Sequence, residues 1–343
     1  MSQKVRVGLH IFSRLFEGER RFPLVLMLEP LFRCNLKCRG CGKIHYPAET
    51  LDRYLTVDEC IVAADECGAP IVTIAGGEPL LHPDISRIAG ELSSNKKYVY
   101  ICTNAVLMEK RIHEFEPSRY LTFNIHVDGL EERHDTLVGR KGVFKKAVAA
   151  IRELLSKGFQ VTTNTTFYGD QDPYSAVQLL NFLESLNVTG MNVAPGFAFS
   201  NNPIGGEFLA REGTQSLFRN ILNQQAYNKR WNFNHSSLYL DFLAGNRYYP
   251  CSPWGNPTRN IFGWQKPCYF LNDGYAASFK ELMESTKWDN YGAGKDPRCC
   301  NCMLHCGFEA SAVMDSVKHP LKAAMVRFRG PGRGTLFSAP AEE

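Results

Sequence analysis

One stretch decides the fold: Pro23-Leu-Val-Leu-Met-Leu-Glu-Pro-Leu-Phe-Arg-Cys34-Asn-Leu-Lys-Cys38-Arg-Gly-Cys41. Its apolar run, Leu24 to Leu28, predicts a buried strand, and three thiols follow within eight residues. The thiols are therefore expected at the carboxyl end of that strand. No signal peptide precedes them, and disulfides do not persist in a reducing compartment. Crowded cysteines in such a chain indicate thiolate ligands for a metal.

Five further apolar runs continue the pattern, with helical stretches between them. They are Ile71 to Ala75, Tyr98 to Cys102, Leu121 to Val127, Gln160 to Thr166 and Met191 to Ala194. A helix is predicted from Val57 to Cys67, with a capping-box signal at Thr56 and Glu59 and a stop at Gly68. A second helix is predicted from Val143 to Ser156. Strands that alternate with helices in this way predict a largely parallel sheet.

Composition and charge exclude several classes of protein. The 343 residues are 44% hydrophobic and 22% charged, with a net charge of +4, which fits a globular chain and requires no nucleic acid partner. The 12 cysteines are too few for a disulfide-dense scaffold. Because no apolar run reaches the roughly 20 residues that span a bilayer, we expect a cytoplasmic protein without a transmembrane segment.

The first cysteine cluster allows two kinds of metal site. A structural zinc ion would take the three thiolates of Cys34, Cys38 and Cys41 together with His45 as a fourth ligand. A 4Fe-4S cluster held by the same three thiolates would be site-differentiated, because one iron would have no protein ligand and could bind a small chelating molecule. The spacing of the cysteines does not separate these two possibilities.

A second motif, Ala75-Gly76-Gly77-Glu78-Pro79, follows the second predicted strand. Alone, Gly-Gly-Glu-Pro is a common turn, although its glycines would let the backbone approach a ligand closely. Together, a CxxxCxxC after the first strand and a GGEP after the second resemble the radical SAM enzymes. The resemblance implies an α/β fold, namely a partial (β/α)6 TIM-like barrel with a Cys-rich C-terminal extension.

The resemblance also implies cofactors and the residues that bind them. The three cysteines would hold a site-differentiated 4Fe-4S cluster, and Gly76 to Pro79 would hold the methionine end of S-adenosyl-L-methionine. Asn104, Asp128 and Asn164, which end three further strands or lie in them, would reach its carboxylate and ribose, or are ordinary strand-end residues. The family usually has an aromatic residue just before the third cysteine. This chain has Gly40 there, so the packing of the adenine is expected to differ.

The pattern of strands and helices ends near residue 200. We expect an amphipathic N-terminal segment at 1–22, the partial barrel at 23–200, a Cys-rich C-terminal domain at 201–317 and a basic tail at 318–343. Radical SAM enzymes with auxiliary clusters have similar late cysteines, so the resemblance implies a second 4Fe-4S cluster. Its preferred ligands are Cys268, Cys299, Cys302 and Cys306, with Cys251 and Cys300 spare. Structural zinc and buried reduced thiols are the alternatives, and Cys60 and Cys67 are expected in the core.

The substrate is indicated by a closer resemblance that extends over nearly the whole chain, to hopanoid-biosynthesis members of the radical SAM family. The matching stretches include Phe22 to Cys34, Gly42 to Ile44, Tyr46 to Glu49, Asp65 to Pro70, Asp241 to Asn246, Cys251 to Arg259, Phe262 to Trp264 and Gly307 to Ala310. This resemblance implies addition of the 5′-deoxyadenosyl radical to the alkene of diploptene, a triterpene, to form adenosylhopane, with flavodoxin or ferredoxin as the reductant. The adduct radical would need a hydrogen atom, and Cys102 is the candidate donor; a small buried hydrophobe is the alternative for Cys102.

Both ends of the chain combine apolar and basic residues. Val5 to Phe16 and Lys318 to Arg333 have the pattern of helices that lie on a membrane surface, which would place the protein on the inner face of the plasma membrane. Terminal helices packed on the barrel are the alternative. Between Phe197 and Phe270, aromatic residues are expected to line an apolar pocket or to form core, including Phe242, Trp254, Phe262 and Trp264.

Two other functions compete with this one. A radical SAM peptide-modifying maturase would use its auxiliary cluster and act on a peptide, but the roughly twenty residues before the first strand are short for a leader-binding domain. A non-catalytic zinc or iron-sulfur interaction protein would explain the cysteines, although not the Gly-Gly-Glu-Pro motif or the barrel pattern.

Overall fold

The computed structural model describes residues 2–197, 208–228 and 231–334, and the strands found there all belong to one sheet. The strands are β1 (Val25–Glu29), β2 (Ile71–Ile74), β3 (Tyr98–Thr103), β4 (Leu121–His126), β5 (Gln160–Phe167), β6 (Gly190–Pro195), β7 (Thr258–Asn260), β8 (Gly263–Gln265) and β9 (Tyr275–Ala276). The helices are α1 (Gln3–Phe16), α2 (Ala48–Leu51), α3 (Val57–Cys67), α4 (Ile85–Ser94), α5 (Met108–Arg111), α6 (Glu131–Leu137), α7 (Val143–Ser156), α8 (Pro173–Ser185), α9 (Arg211–Asn228), α10 (Ser237–Leu243), α11 (Phe279–Ser285), α12 (His305–Lys318) and α13 (Pro320–Arg329).

The order of strands in the sheet is β6-β5-β4-β3-β2-β1-β7-β8-β9. Strands β1 to β6 are all parallel, and helices connect them, so the predicted α/β fold with its mostly parallel sheet is confirmed. Strand β7 adds to the free edge of β1 in parallel, and β8 and β9 follow antiparallel. Because the first six strands run the same way, the loops after their carboxyl ends meet at one end of the sheet.

The local signals of the sequence correspond to the observed elements. Thr56 and Glu59 form the capping box of α3, and Gly68 ends the helix in the left-handed conformation with φ of 67°. All six predicted strands are present, with bounds within about two residues of the expected ones. The buried cysteines of α3, Cys60 and Cys67, pack in the main core as expected.

Alternation along the parallel strands separates two environments. In β3, Val99 and Ile101 are fully buried in the core under the helices, whereas Tyr100 and Cys102 line the interior of the barrel. Successive side chains of a strand point to opposite faces, so each strand contributes to both. The interior facing residues include polar ones such as Asn124, and the barrel therefore encloses a cavity.

The part of the chain after residue 208 returns to the barrel. Strand β7 pairs with β1, and α12 packs against α1 through a small core that contains Ile11, Phe22 and Leu24. These contacts bring the late cysteines and both ends of the described chain next to the barrel. Within the described ranges, no helix is long and apolar enough to cross a bilayer.

Candidate functional site

A cavity of about 1490 Å³ occupies the interior of the barrel. At the carboxyl ends of the strands it is bordered by the cysteine loop and by the Gly-Gly-Glu loop, and from there it continues along the strands. Small-molecule pockets usually measure about 300 to 1,000 Å³, so this cavity has room for more than one small molecule. It is the natural place for a cofactor and a substrate to meet.

The three cysteines of the first cluster lie in the loop between β1 and α2, and all line the cavity except where the chain buries them in part. Burial raises the pKa of the Cys34 thiol to about 12, partly offset by the main-chain N–H of Leu36, which donates to its sulfur. Burial likewise raises the pKa of Cys41, whose sulfur accepts from the N–H of Lys43. N–H groups aimed at two sulfurs, with each thiol raising its neighbours' pKa, make a site that a metal centre would hold as thiolates.

The two glycines of the second motif are required by backbone packing. A Cβ on Gly76 would lie 2.3 Å from the carbonyl oxygen of Leu31, and a Cβ on Gly77 would lie 2.1 Å from that of Arg33. The N–H of Gly77 donates to the Leu31 carbonyl at 2.9 Å. The glycines thus fix the start of the cysteine loop against the end of β2, which is a physical reason different from the expected approach to a ligand.

Glu78 is buried, and its carboxylate is bound by its own chain. Its oxygens accept from the Thr103 hydroxyl at 2.7 Å, from the Asn104 N–H at 2.8 Å and from the Leu80 N–H at 2.9 Å. The side-chain amide of Asn104 in turn donates to the Asn35 side chain at 2.7 Å. Glu78 and Asn104 therefore tie the ends of β2 and β3 to the cysteine loop, and both border the cavity.

Two of the predicted contacts to S-adenosylmethionine do not line the cavity. Pro79 begins a buried turn, and the Asp128 carboxylate accepts from the Thr166 N–H and lies 2.6 Å from the His126 ring. Burial opposes the charging of His126, but Asp128 and the neighbouring Cys38 outweigh it and raise the pKa of His126 well above its usual value. His126, which does line the cavity, is thus the polar group that Asp128 positions, and Asn164 lines the cavity beside them.

Cys102 lies inside the barrel, next to the polar group of three strands. The Asn124 side-chain amide lies 3.3 Å from its sulfur, and the Asn124 oxygen accepts from Thr162 and from Asn192. Burial raises the pKa of the Cys102 thiol to about 11. At neutral pH this residue is therefore a protonated thiol that faces the cavity.

A buried ion pair beside the cysteine loop was not predicted from the sequence. The Lys43 ammonium lies 2.9 Å from the Glu29 carboxylate at the end of β1, and 4.4 Å from the centre of the Tyr269 ring. Lys43 and Tyr269 both border the cavity. The only sequence signal was the position of Lys43 two residues after Cys41.

The late cysteines form a second group. Burial raises the pKa of Cys251 well above its usual value, and the nearby thiols of Cys302, Cys268 and Cys299 add to the effect. Main-chain N–H groups donate to Cys268, from Phe270 and Leu271, and to Cys302, from Leu304, as they do in the first cluster. Cys306 is close to the same group and also lines the cavity, whereas Cys300 is exposed. The structure thus places Cys251, spare in the sequence prediction, among the predicted ligands.

The aromatic residues around the cavity differ in part from those expected. Phe242 and Trp264 are fully buried in the core, and neither Trp254 nor Phe262 lines the cavity. The lining aromatics are instead Phe197, Phe208, Phe233, Tyr269, Phe270 and Tyr168. Tyr168 packs on Gly40, where a Cβ would lie 3.2 Å from its ring, so an aromatic side chain from the end of β5 occupies the place beside the third cysteine.

The residues present fit an iron-sulfur cluster with a nucleotide beside it. Three soft thiol donors, two of them with N–H groups directed at the sulfur, border a cavity that is larger than one small molecule needs. In the described part of the chain, no three His, Cys, Asp or Glu side chains lie close enough to hold one metal ion. The zinc alternatives stay untested.

Comparison with known families identifies two regions. Residues 28–183 match the family model described as the Radical SAM superfamily, and residues 191–326 match one described as a domain of unknown function (DUF3463). The superfamily uses a 4Fe-4S cluster and S-adenosylmethionine, which agrees with the expected cofactors.

Curated relatives match the first half of the chain. GTP 3′,8-cyclase of Clostridium perfringens is 28% identical over 155 residues, which are 43% of this chain and 48% of the relative. AdoMet-dependent heme synthase of Methanosarcina barkeri is 32% identical over 152 residues, which are 42% of each chain. The chain spans about half the length of the curated relatives it matches.

Solved structures match more of the fold. Streptococcus suis SuiB bound to S-adenosylmethionine has a TM-score of 0.64 at 18% identity and covers 84% of this chain and 69% of its own. The enzyme anSMEcpe with bound AdoMet has a TM-score of 0.60 at 17% identity and covers 89% of this chain and 98% of its own. At these identities the likeness shows the fold, including part of the region after residue 200.

Proposed function

Residues 28–183 belong to the radical SAM superfamily, and on that premise we propose that this chain is an adenosylhopane synthase, which joins the 5′-deoxyadenosyl group to the alkene of diploptene. The finer assignment rests on the resemblance of the whole chain to hopanoid-biosynthesis proteins. It makes the chain an enzyme that forms a carbon–carbon bond to a large apolar substrate.

One observation carries the proposal. A single cavity borders the cysteine loop, contains the thiol of Cys102 and continues along the barrel to apolar residues such as Val25 and Ile71. A cofactor at the carboxyl end and a long apolar substrate in the rest of the barrel would meet near Cys102. A site for a small polar substrate would not need this apolar length.

The chain's own residues have distinct parts in this reaction. With its cluster reduced, bound S-adenosylmethionine supplies a 5′-deoxyadenosyl radical. Addition of this radical to the terminal alkene carbon forms the new carbon–carbon bond and leaves one unpaired electron on the tertiary carbon. The Cys102 thiol then gives that carbon a hydrogen atom, and the resulting sulfur radical regains one electron and one proton from the flavodoxin or ferredoxin reductant.

The polar residues around Cys102 prepare it for this step. Because the pKa of the thiol is raised to about 11, the sulfur keeps its hydrogen at neutral pH. The Asn124 amide at 3.3 Å fixes the direction of the sulfur, and Asn192 and Thr162 fix Asn124. Asn104 and Glu78 hold the cysteine loop in place, and His126 and Asn164 border the part of the cavity next to it.

The second group of cysteines is proposed to hold an auxiliary 4Fe-4S cluster. Cys268, Cys299 and Cys302 each receive main-chain N–H groups at their sulfurs, as the first cluster's ligands do. The fourth ligand proposed from the sequence is Cys306, and Cys251 competes with it for that place. Such a cluster would supply electrons close to the cavity, which the return of Cys102 to its thiol requires.

The test is an anaerobic incubation of reconstituted protein with S-adenosylmethionine, a strong reductant and diploptene, followed by mass spectrometry. Adenosylhopane is the expected product. Free 5′-deoxyadenosine without the adduct would overturn the substrate assignment while leaving the radical SAM chemistry in place. A peptide-modifying reaction is the alternative, since other crystals of SuiB and anSMEcpe contain peptides, and modification of an added peptide with no adduct would favour it.

A further inference from the structure

The cavity reaches the amino ends of the strands as well as their carboxyl ends. Val25 and Ile71, the first residues of β1 and β2, line it, as does Gln3 of α1. The lining there continues onto exposed residues, Lys4 of α1 and Arg327 of α13. Exposed lining residues mark an opening, so the barrel has a mouth between α1 and α13, at the end of the strands opposite to the cysteine loop.

Each of these two helices carries a stripe of exposed apolar side chains next to its lining residues. The α1–α13 surface consists of Val5, Leu9, Phe12 and Phe16 on α1 and Leu321, Met325 and Phe328 on α13. The spacing of i, i+4 and i+7 places each set on one face of its helix. Phe16 is 96% exposed and Leu321 is 84% exposed, so these residues add nothing to the core of the described chain. Large apolar side chains clustered on a surface mark an interaction site.

The charges of the same helices select the kind of partner. Neither α1 nor α13 contains an Asp or a Glu. Within the described ranges, Lys4, Arg6 and Arg327 make no ion pair, whereas Arg14 is paired with Glu17 and Glu19. Free cations beside apolar stripes complement a surface that is both apolar and anionic, which is the chemistry of a bilayer with acidic headgroups.

A glycine inside α1 borders the mouth. Gly8 lines the cavity, and a Cβ there would meet no atom within 4 Å. Glycine inside a helix costs about 1 kcal/mol relative to alanine, and here no close packing explains it. The missing side chain leaves the mouth wide on the α1 side.

We propose that the α1–α13 surface docks on an anionic lipid bilayer and that the mouth between these helices admits the apolar substrate from the bilayer into the barrel. The substrate then reaches Cys102 from the amino ends of the strands, while the cofactor site lies at the carboxyl ends. The identity of that substrate rests on the proposed function, but docking and entry are observable without turnover.

Vesicle flotation of the reconstituted full chain tests the docking. We expect the protein to float with vesicles of phosphatidylglycerol and phosphatidylcholine, less at high salt, and to stay behind with phosphatidylcholine alone. The combined variant Phe12→Ser, Phe16→Ser, Leu321→Ser and Met325→Ser should bind at least about tenfold more weakly. The control variant Val62→Ser with Tyr174→Ser, exposed apolar residues on α3 and α8, should bind like the parent. Equal binding by the four-serine variant, or self-association that ignores vesicles, would overturn docking.

Labelling of Cys102 tests the mouth. N-cyclohexylmaleimide partitions into vesicles, and its attachment to Cys102 is measured by peptide mass spectrometry in the vesicle-bound holoprotein. Gly8→Trp should slow this labelling several-fold and leave flotation and iron content unchanged. Gly90→Trp, in α4 and away from the cavity with no atom within 4 Å of its Cβ, should not slow it. Equal rates in both variants would contradict entry between α1 and α13.

These readouts separate the two proposals. If the protein docks and Gly8→Trp slows labelling but diploptene gives no adduct, the substrate assignment fails and the route for an apolar molecule stands. If diploptene is converted without docking or a Gly8 effect, the route fails and the proposed function stands.

Discussion

The side-chain amide of Asn124 lies 3.3 Å from the sulfur of Cys102, inside the barrel and on the neighbouring strand. The two residues pair directly in the register of β3 and β4, so the contact is fixed by the sheet and needs no loop. Its oxygen is held by Thr162 and Asn192 on the next two strands. Four strands thus orient one protonated thiol towards the cavity.

Replacing Cys102 by Ala should separate radical formation from product formation. We expect 5′-deoxyadenosine at the parent's level and saturated adduct lower by at least about tenfold, because the hydrogen donor is gone. Cys300→Ala removes an exposed thiol outside the barrel and serves as the control. Quantitative mass spectrometry of both products checks this, and unchanged adduct yield in Cys102→Ala would sink the role of Cys102.

Gly77→Ala should detach the cysteine loop from β2. The new Cβ would lie 2.1 Å from the Arg33 carbonyl oxygen, and backbone cannot yield cheaply. We expect a loss of about 2 to 4 kcal/mol in the free energy of unfolding and less iron after reconstitution. Gly90→Ala, where nothing lies within 4 Å, should be neutral or stabilising by up to about 1 kcal/mol. Urea denaturation and iron analysis measure both effects, and equal behaviour of the two variants would contradict the packing role.

Lys43→Met should be more damaging than the double variant in which Glu29 is also replaced by Leu. The single change leaves the fully buried Glu29 carboxylate without its cation, which costs about 3 to 5 kcal/mol of unfolding free energy. In the double variant no charge is stranded, so most of the loss should return. Denaturant unfolding of the three proteins decides the matter; a double variant as unstable as Lys43→Met would argue against a paired charge.

Asp315 should make the attachment of α13 depend on acid. Burial alone would raise its pKa, but hydrogen bonds from Lys322, Tyr249 and His319 outweigh burial and lower the pKa to about 2. A carboxyl with a lowered pKa stabilises the fold above its ordinary value of 3.8, and this stability disappears as the pH falls towards 2.

Asp315→Asn tests this directly. The urea midpoint of the variant should lie below that of the parent at pH 7, and the difference should shrink between pH 4 and the folded pKa of about 2. Asp289→Asn, a more exposed carboxylate paired with Arg21, should show little difference at any pH. A gap between parent and Asp315→Asn that stays constant with pH would mean that packing, and not charge, is responsible.

Iron content should distinguish the ligands of the second cluster. Replacing Cys268 or Cys302 by Ser should remove about four iron atoms per chain and leave those of the first cluster. Cys306→Ser and Cys251→Ser, measured side by side, identify the fourth ligand, because the true ligand should behave like Cys268. Full iron in the Cys268 and Cys302 variants would mean that these cysteines are reduced structural thiols.

The sequence was sufficient for local structure and for motifs whose residues are close in the chain. The capping box at Thr56 and Glu59 uses contacts within one turn of helix, and the three cysteines lie in one loop, so both could be read directly. The apolar alternation gave all six parallel strands, because the faces of a strand differ in burial at every second residue.

What depends on distant parts of the chain could not be read in this way. The reason for Gly76 and Gly77 lies in the carbonyls of Leu31 and Arg33, some forty residues away, and an isolated Gly-Gly pair gives no hint of what it touches. The Glu29–Lys43 pair was missed for the same reason, since a charge near a cysteine looks the same in sequence whether it is exposed or buried.

The sequence by itself determined the parallel α/β order, the cysteine and Gly-Gly-Glu motifs and the amphipathic character of both ends. Only the tertiary structure decided that Cys102 faces the cavity, that Cys251 joins the late cysteines, that Trp264 belongs to the core and that α1 and α13 border one mouth. The physical reason is that periodicity reports which face of an element is buried, while the partner buried against it is set by the packing of elements far apart in the chain.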